Sequence, residues 1–452
     1  MDFIAGQAAL DRGDASVANA LFRSALEHDP AFTYAWFNLA NASFSTEEFA
    51  SSLKKAAGTG NGSDGERLLV AVGQRFLDND FTAQLATAKE LTDKYPRSPR
   101  AWLNLAGVHG GLNQFAEQRA ALARAIELDR GFAPAHLAMA TSYLFNEPRD
   151  LALSEKYFKQ TIALAPGEDN YHWLLGDVYR ASNQLEKARE LYRRATLLDP
   201  HDGTAPVKLG HVDSFLGRYD EARADYDRGI ANADRANKPF LANYRAFTAV
   251  HAGDPAGAVR ELERLAAEVD TMGLPENQRD GAKNFTLTNA LTVALHHNLH
   301  DDAARVLGQL AAVLRSNARV VGTEEFSNIQ EALIAYYEGQ LAARRGRFAE
   351  ATALAKKNAE LVAAQRNPRK MENYHDLVGL IALLGRRPGE AVELYKKADL
   401  TNKYTQYHYA LALAGARRAD EAKKIFKDVG EWNFNSVQFA LTRKDALARA
   451  GA

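Results

Sequence analysis

One spacing constrains this chain more than any other feature: related residues return every 34 positions. Leu175, Gly176, Asn183, Ala188, Tyr192 and Ala195 recur as Leu209, Gly210, Gly217, Ala222, Tyr226 and Gly229. Trp102, Leu105, Ala106 and His109 recur at the same offset as His136, Met139, Ala140 and Tyr143, and Pro166 stands 34 residues before Pro200. A fixed period of roughly 20 to 50 residues marks stacked supersecondary units, each burying one face on its neighbour, in place of a single closed core. The 452 residues are in any case too many for one ordinary core.

Composition removes several alternatives. With no Cys, the chain has no disulfide framework, no thiolate nucleophile and no cysteine-ligated zinc or iron–sulfur site. Its 56 Lys plus Arg balance 57 Asp plus Glu, so no broad field attracts phosphate, and nucleic acid is not an expected partner. Apolar runs around Leu380–Leu384 fall far short of the ~18 residues of a spanning helix, and MDFIAGQAALDRGD lacks the apolar core of a signal peptide.

The best copy of the repeat reads WLLGDVYRASNQLEKARELYRRATLLDP, residues 173–200. This resembles the tetratricopeptide repeat, W-x2-L-G-x2-Y followed by A-x3-F-x2-A and a closing Pro. It carries Leu175, Gly176, Tyr179, Ala188, Tyr192, Ala195 and Pro200, and it departs only in placing His172 in the tryptophan slot with Trp173 beside it. Small residues such as Gly176 and Ala188 let two antiparallel helices approach, large rings fill the remaining space, and proline ends the second helix. Looser copies run through Gly6, Ala18, Phe22 and Pro30; Gly339, Ala351 and Ala355; Gly379, Ala391 and Tyr395; and Ala410, Ala422 and Phe426. The resemblance implies an all-α, right-handed superhelical solenoid of about twelve antiparallel hairpins with a C-terminal capping helix.

The repeats divide the chain into hairpins at 1–57, a central array at 67–234, degenerate hairpins at 242–315, further hairpins at 326–430 and a cap at 431–452. Linkers are expected at 58–65, 270–283 and 316–325, where Gly, Asn and Asp interrupt the pattern. The glycine slot reached already at Gly6 implies that Met1 lies inside the first repeat, with a signal, anchor or domain missing upstream. The Asn433-Phe434-Asn435 tail and the Ala, Arg and Gly usage resemble large bacterial proteins of this type, many of them exported. Periplasm is therefore the expected location, with cytoplasm as the alternative.

Motifs that carry chemistry are sparse. Gly60, Gly62 and Gly65 satisfy G-x-G-x-x-G, but no strand precedes them, and Ser63 with Glu66 reads as a capping box. His296, His297, His300, Asp301 and Asp302 are the most metal-like group, with His296 and His300 on one helix face. No HExxH accompanies them, and polar residues of these types are common in turns. The sequence thus implies no catalytic residue, no cofactor and no metal.

The resemblance places function on the concave face, lined by the first helix of each hairpin. Carried onto this chain, its positions are Tyr34, Phe37 and Asn41; Leu137 and Thr141; Asn170, Trp173, Asp177 and Arg180; and Val207 and His211. The family's carboxylate clamp is not matched, since Phe37, Asn41, Leu103 and Gly107 occupy its slots. The expected function is a non-enzymatic scaffold that holds a peptide or protein partner in this groove. Two alternatives stand beside it: a regulatory or sensor segment of a larger bacterial protein, and a metal-dependent activity at 296–302.

Overall fold

A computed structural model describes residues 1–164, 172–198 and 203–451. Among these residues the regular structure is helical, without a strand. The chain forms two compact units, Met1–Glu168 with Gln365–Arg369, and Asp169–Ala364 with Lys370–Ala452.

Unit 1 contains α1 (Asp2–Asp11), α2 (Ala15–His28), α3 (Thr33–Asn41), α4 (Thr46–Gly58), α5 (Asp64–Leu77), α6 (Phe81–Lys94), α7 (Pro99–Gly111), α8 (Phe115–Leu128), α9 (Ala133–Phe145) and α10 (Leu151–Leu164). Unit 2 begins with α11 (His172–Ala181), α12 (Leu185–Leu198), α13 (Thr204–Phe215), α14 (Tyr219–Asn232), α15 (Lys238–Ala252) and α16 (Pro255–Glu268). It continues with α17 (Glu276–His296), α18 (His300–Val321), α19 (Glu324–Arg344), α20 (Phe348–Val362), α21 (Glu372–Leu384), α22 (Pro388–Tyr395), α23 (Lys403–Gly415), α24 (Ala419–Gly430) and α25 (Val437–Ala450). Consecutive helices pair, odd with even, into hairpins that stack on their neighbours.

Local chemistry explains the boundaries. Asp14, Ser45, Asp80 and Ser98 each accept a backbone N–H of the following first turn, and Ser63 with Glu66 forms the reciprocal capping box. In most hairpins the chain reverses through one left-handed residue: Gly13, Asn79, Asn113, Asn183, Gly217, Gly253, Asn298, Gly346, Arg386 and Arg417 all have positive φ, whereas the α3–α4 and α9–α10 turns have none. That backbone requirement explains why Asn183 is answered by Gly217 one period later.

Packing explains the glycines of the motif. Tyr192, Tyr226 and Tyr395 are fully buried, each lying on a glycine of the preceding helix. A Cβ on Gly176 would sit 2.5 Å from Tyr192 Cε1, one on Gly210 3.0 Å from Tyr226 Cδ1, and one on Gly379 3.0 Å from Tyr395 Cε1. Gly176→Ala is therefore expected to destabilise unit 2 by about 1–3 kcal/mol through overpacking. Thermal unfolding checks this, and an unchanged melting temperature would mean that the Tyr192 ring yields freely.

Two expected linkers are much shorter in the structure. Residues 276–283 belong to α17 and residues 316–321 to α18. The apolar stripe of α18 runs on past Leu314 to the buried Ala318, so packing outweighs the weak helix preference of Ser316 and Asn317. α25 does follow the last hairpin, but Val437, Phe439, Ala440, Leu441, Thr442 and Ala446 are buried in it, and it packs on α15, α17 and α23 as well as α24.

Candidate peptide groove

The first helices of the five hairpins in unit 1 converge on a groove of about 540 Å³. Helical spacing places Tyr34, Phe37 and Asn41 on one face of α3, and Leu137 and Thr141 on one face of α9. All five line this groove together with Leu103 of α7. Tyr34 and Phe37 stack nearly parallel, 6.1 Å between centroids, and form the apolar wall. Asn41 and Thr141 are exposed.

Side-chain amides form the rest of the lining: Gln7, Asn38, Asn104, Gln118 and Asn146. Some are held in place. Asn38 Nδ2 donates to the Tyr34 carbonyl at 2.9 Å, and Gln118 Oε1 accepts from Ser142 Oγ at 2.9 Å. Others retain capacity: Asn104 Oδ1 and Gln7 Oε1 are buried with no hydrogen-bond partner in unit 1. An unpaired buried acceptor costs free energy that a ligand N–H would relieve.

One ion pair crosses the groove. Arg100 of α7 donates through both terminal nitrogens to Asp11 of α1, at 3.0 and 2.6 Å. Burial opposes its charge, but the Asp11 carboxylate outweighs that and raises the Arg100 pKa. Burial likewise raises the Tyr34 phenol despite Arg100 nearby. The groove is therefore internally neutral, suited to apolar side chains and a backbone that needs hydrogen bonds. Sequence reading missed Gln7, Asp11, Arg100, Asn104 and Gln118. Their helices were legible, but the convergence of α1 with α7 joins positions 89 residues apart.

The candidates in unit 2 are placed differently. Asn170 lies outside the described residues. Asp177 and Arg180, expected in an open groove, are 4% and 3% exposed. Asp177 is held by Arg180 at 2.7 Å, by Lys208 at 2.6 Å and by the Tyr192 hydroxyl, which donates at 2.6 Å. Burial alone would raise the Asp177 pKa, but Lys208 and Arg180 together hold it below the usual value. The same i, i+3 spacing that suggested an ionic recognition stripe instead builds a buried ion cluster. Trp173 is partly buried, with Lys208 Nζ 4.0 Å from its ring centroid. Val207 belongs to the core with Ala222 and Tyr226, seated against Gly229 where a Cβ would stand 2.5 Å from it. His211 is buried beside Tyr226, its Nδ1 2.8 Å from the phenol oxygen.

At 296–302, His296 Nδ1 lies 2.9 Å from the Tyr404 hydroxyl and its ring packs on His297 and Tyr407. Among the described residues no group of three or more His, Asp or Glu side chains is arranged to hold a metal ion. No helix among them is long and apolar enough to cross a membrane.

Three models described as tetratricopeptide repeat match residues 5–62, 99–132 and 170–202. The chain is 24% identical over 180 residues to anaphase-promoting complex subunit 3 of Schizosaccharomyces pombe, covering 40% of this chain and 26% of that protein. It is 23% identical to anaphase-promoting complex subunit 6 of Arabidopsis thaliana, covering 33% and 27%. It thus spans about a quarter of the length of these curated relatives. Among solved structures, a tetratricopeptide repeat protein of Parabacteroides merdae is 15% identical, with a TM-score of 0.37 over 62% of this chain and 98% of that one.

Proposed function

Since this chain is a tetratricopeptide-repeat protein, a scaffold for protein–protein interaction, we propose that unit 1 binds a protein or peptide partner as an extended segment in its groove. The observation that carries this reading is the groove itself, an apolar wall of Tyr34, Phe37, Leu103 and Leu137 facing amide side chains with unpaired buried acceptors. Apolar side chains of the partner would seat on the wall, and its backbone N–H groups would reach Asn104 and Gln7. Because hairpins preform this surface, little ordering cost falls on the scaffold. Affinity for a single peptide is expected near micromolar, about -8 kcal/mol.

Display selection of peptides against the full chain tests the proposal. Asn41→Arg and Thr141→Arg alter exposed groove positions, so folding should survive while bulk and charge intrude on the ligand path. Selected peptides are expected to lose about tenfold or more in affinity for the double variant, roughly 1.4 kcal/mol. Equal affinity for parent and variant would move the binding surface elsewhere.

A further inference from the structure

Residues 432–436, between α24 and α25, have no helical structure, and side chains from this stretch reach the α11–α12 turn, α13, α14 and α15. Asn433 Nδ2 donates to Asn183 Oδ1 at 2.9 Å. The Phe434 ring lies 4.8 Å from the Arg180 guanidinium, a cation–π distance. Asn435 Nδ2 is 3.0 Å from the Tyr226 hydroxyl and 3.2 Å from His211 Nδ1. Its Oδ1 is 3.4 Å from His251 Nε2. Just beyond, Phe439 meets Phe215 edge-on at 5.1 Å.

These contacts differ in kind from those of the array. A hairpin rests on its sequence neighbours, whereas these side chains bridge separations of 184 to 254 residues. The Asn435 surroundings also discriminate. Asn435 Nδ2 donates to the Tyr226 oxygen, which lies 2.8 Å from His211 Nδ1, while its carbonyl oxygen faces His251 Nε2. A carboxamide presents a donor and an acceptor together in one planar group and so serves both neighbours.

We propose that unit 2 holds a second peptide site, occupied in cis by Phe434 and Asn435, which accepts from a partner protein an extended segment bearing an aromatic residue followed by a carboxamide residue. Held at both ends by α24 and α25, the segment competes at a high effective concentration, so the site admits a partner only when these residues are weakened or displaced. This site is separate from the groove of unit 1, and either assignment can fail alone.

The test uses the full chain and a fluorescein-labelled synthetic peptide with the sequence Gly430–Val437. The Phe434→Ala, Asn435→Leu chain is expected to bind this peptide at least about tenfold more tightly than the parent, whose site is filled. A control peptide with leucine in place of the residue corresponding to Asn435 is expected to lose that advantage. Equal binding by parent and variant, or indifference to the leucine, would overturn the proposal. So would loss of helicity in the double variant, because the segment would then be part of the core. Hydrogen exchange on the unmodified chain supplies an independent arm. Residues 432–436 are expected to open before α13 and α15, and exchange only through global unfolding would count against a displaceable ligand. A dimer of the parent chain abolished by the double substitution would assign the site to a second copy and overturn the partner reading.

Discussion

Asp177→Ala is expected to destabilise unit 2 by about 3–5 kcal/mol, the range for removing one partner of a buried ion pair. The cause is what remains behind. Arg180 is almost fully buried, with its side chain only 4% exposed, and without Asp177 its charge keeps no carboxylate at that distance. Lys208 loses its 2.6 Å ion pair, and the buried Tyr192 hydroxyl loses its acceptor. Water cannot substitute at such burial, so the desolvation cost of the guanidinium stands uncompensated. Replacing both charges with apolar residues, as in Asp177→Leu with Arg180→Met, is expected to recover most of the loss, since a buried pair and a packed apolar pair differ little in net free energy. Urea unfolding of the two variants beside the parent measures this. A single variant as stable as the parent would show that the cluster contributes no net stabilisation.

Acidification is expected to unfold unit 2 with a midpoint near pH 5. Burial pushes His251 down to about 4 and His408 down to about 3. Burial likewise carries His211 and His296 well below the ordinary histidine value of 6.5. In each case the folded-state pKa lies below the unfolded one. Their stabilising contribution is thus complete above about pH 6.5 and is lost as pH falls, because only the unfolded chain takes up the proton. The loss is about 1.4 kcal/mol per histidine per pH unit, or roughly 2 kcal/mol each by pH 5. Three carboxyls oppose it. Burial raises Asp225 to about 6 and also raises Asp280 and Asp376, and protonation of Asp225 in the folded state returns on the order of 1.4 kcal/mol over the same interval. Four histidines outweigh this, and a net loss of several kcal/mol is comparable with the total stability of an ordinary domain, roughly 5–15 kcal/mol. Helicity followed by circular dichroism from pH 8 to 4 checks the direction. His251→Gln should move the midpoint to lower pH, and a midpoint indifferent to that change would remove the histidine explanation.

The fold was legible because its rules are local and repeated. Gly176 beneath Tyr192, Ala188 in the small slot and Asn183 or Gly217 at the left-handed turn each follow from contacts within one hairpin. Those contacts lie within a few tens of residues, so the 34-residue period displays them directly. Half of the candidate groove was legible for the same reason: Tyr34, Phe37 and Asn41 share a helix face, as do Leu137 and Thr141, and helical spacing alone aligns them.

Where local rules stopped, so did the reading. The sequence cannot distinguish a concave stripe that stays open from one that is covered, because Trp173, Asp177 and Arg180 satisfy the same spacing in either case. The 34-residue period and the residue types within it determined that the chain forms stacked helical hairpins, where each hairpin turns and which helix faces which way. Tertiary structure alone decided that Asp11 meets Arg100 across unit 1 and that Asn435 reaches His211, Tyr226 and His251 in unit 2. Those pairs join residues 89 to 224 positions apart, where no periodic signal extends and only the accumulated rotation of one hairpin on the next sets which side chains meet.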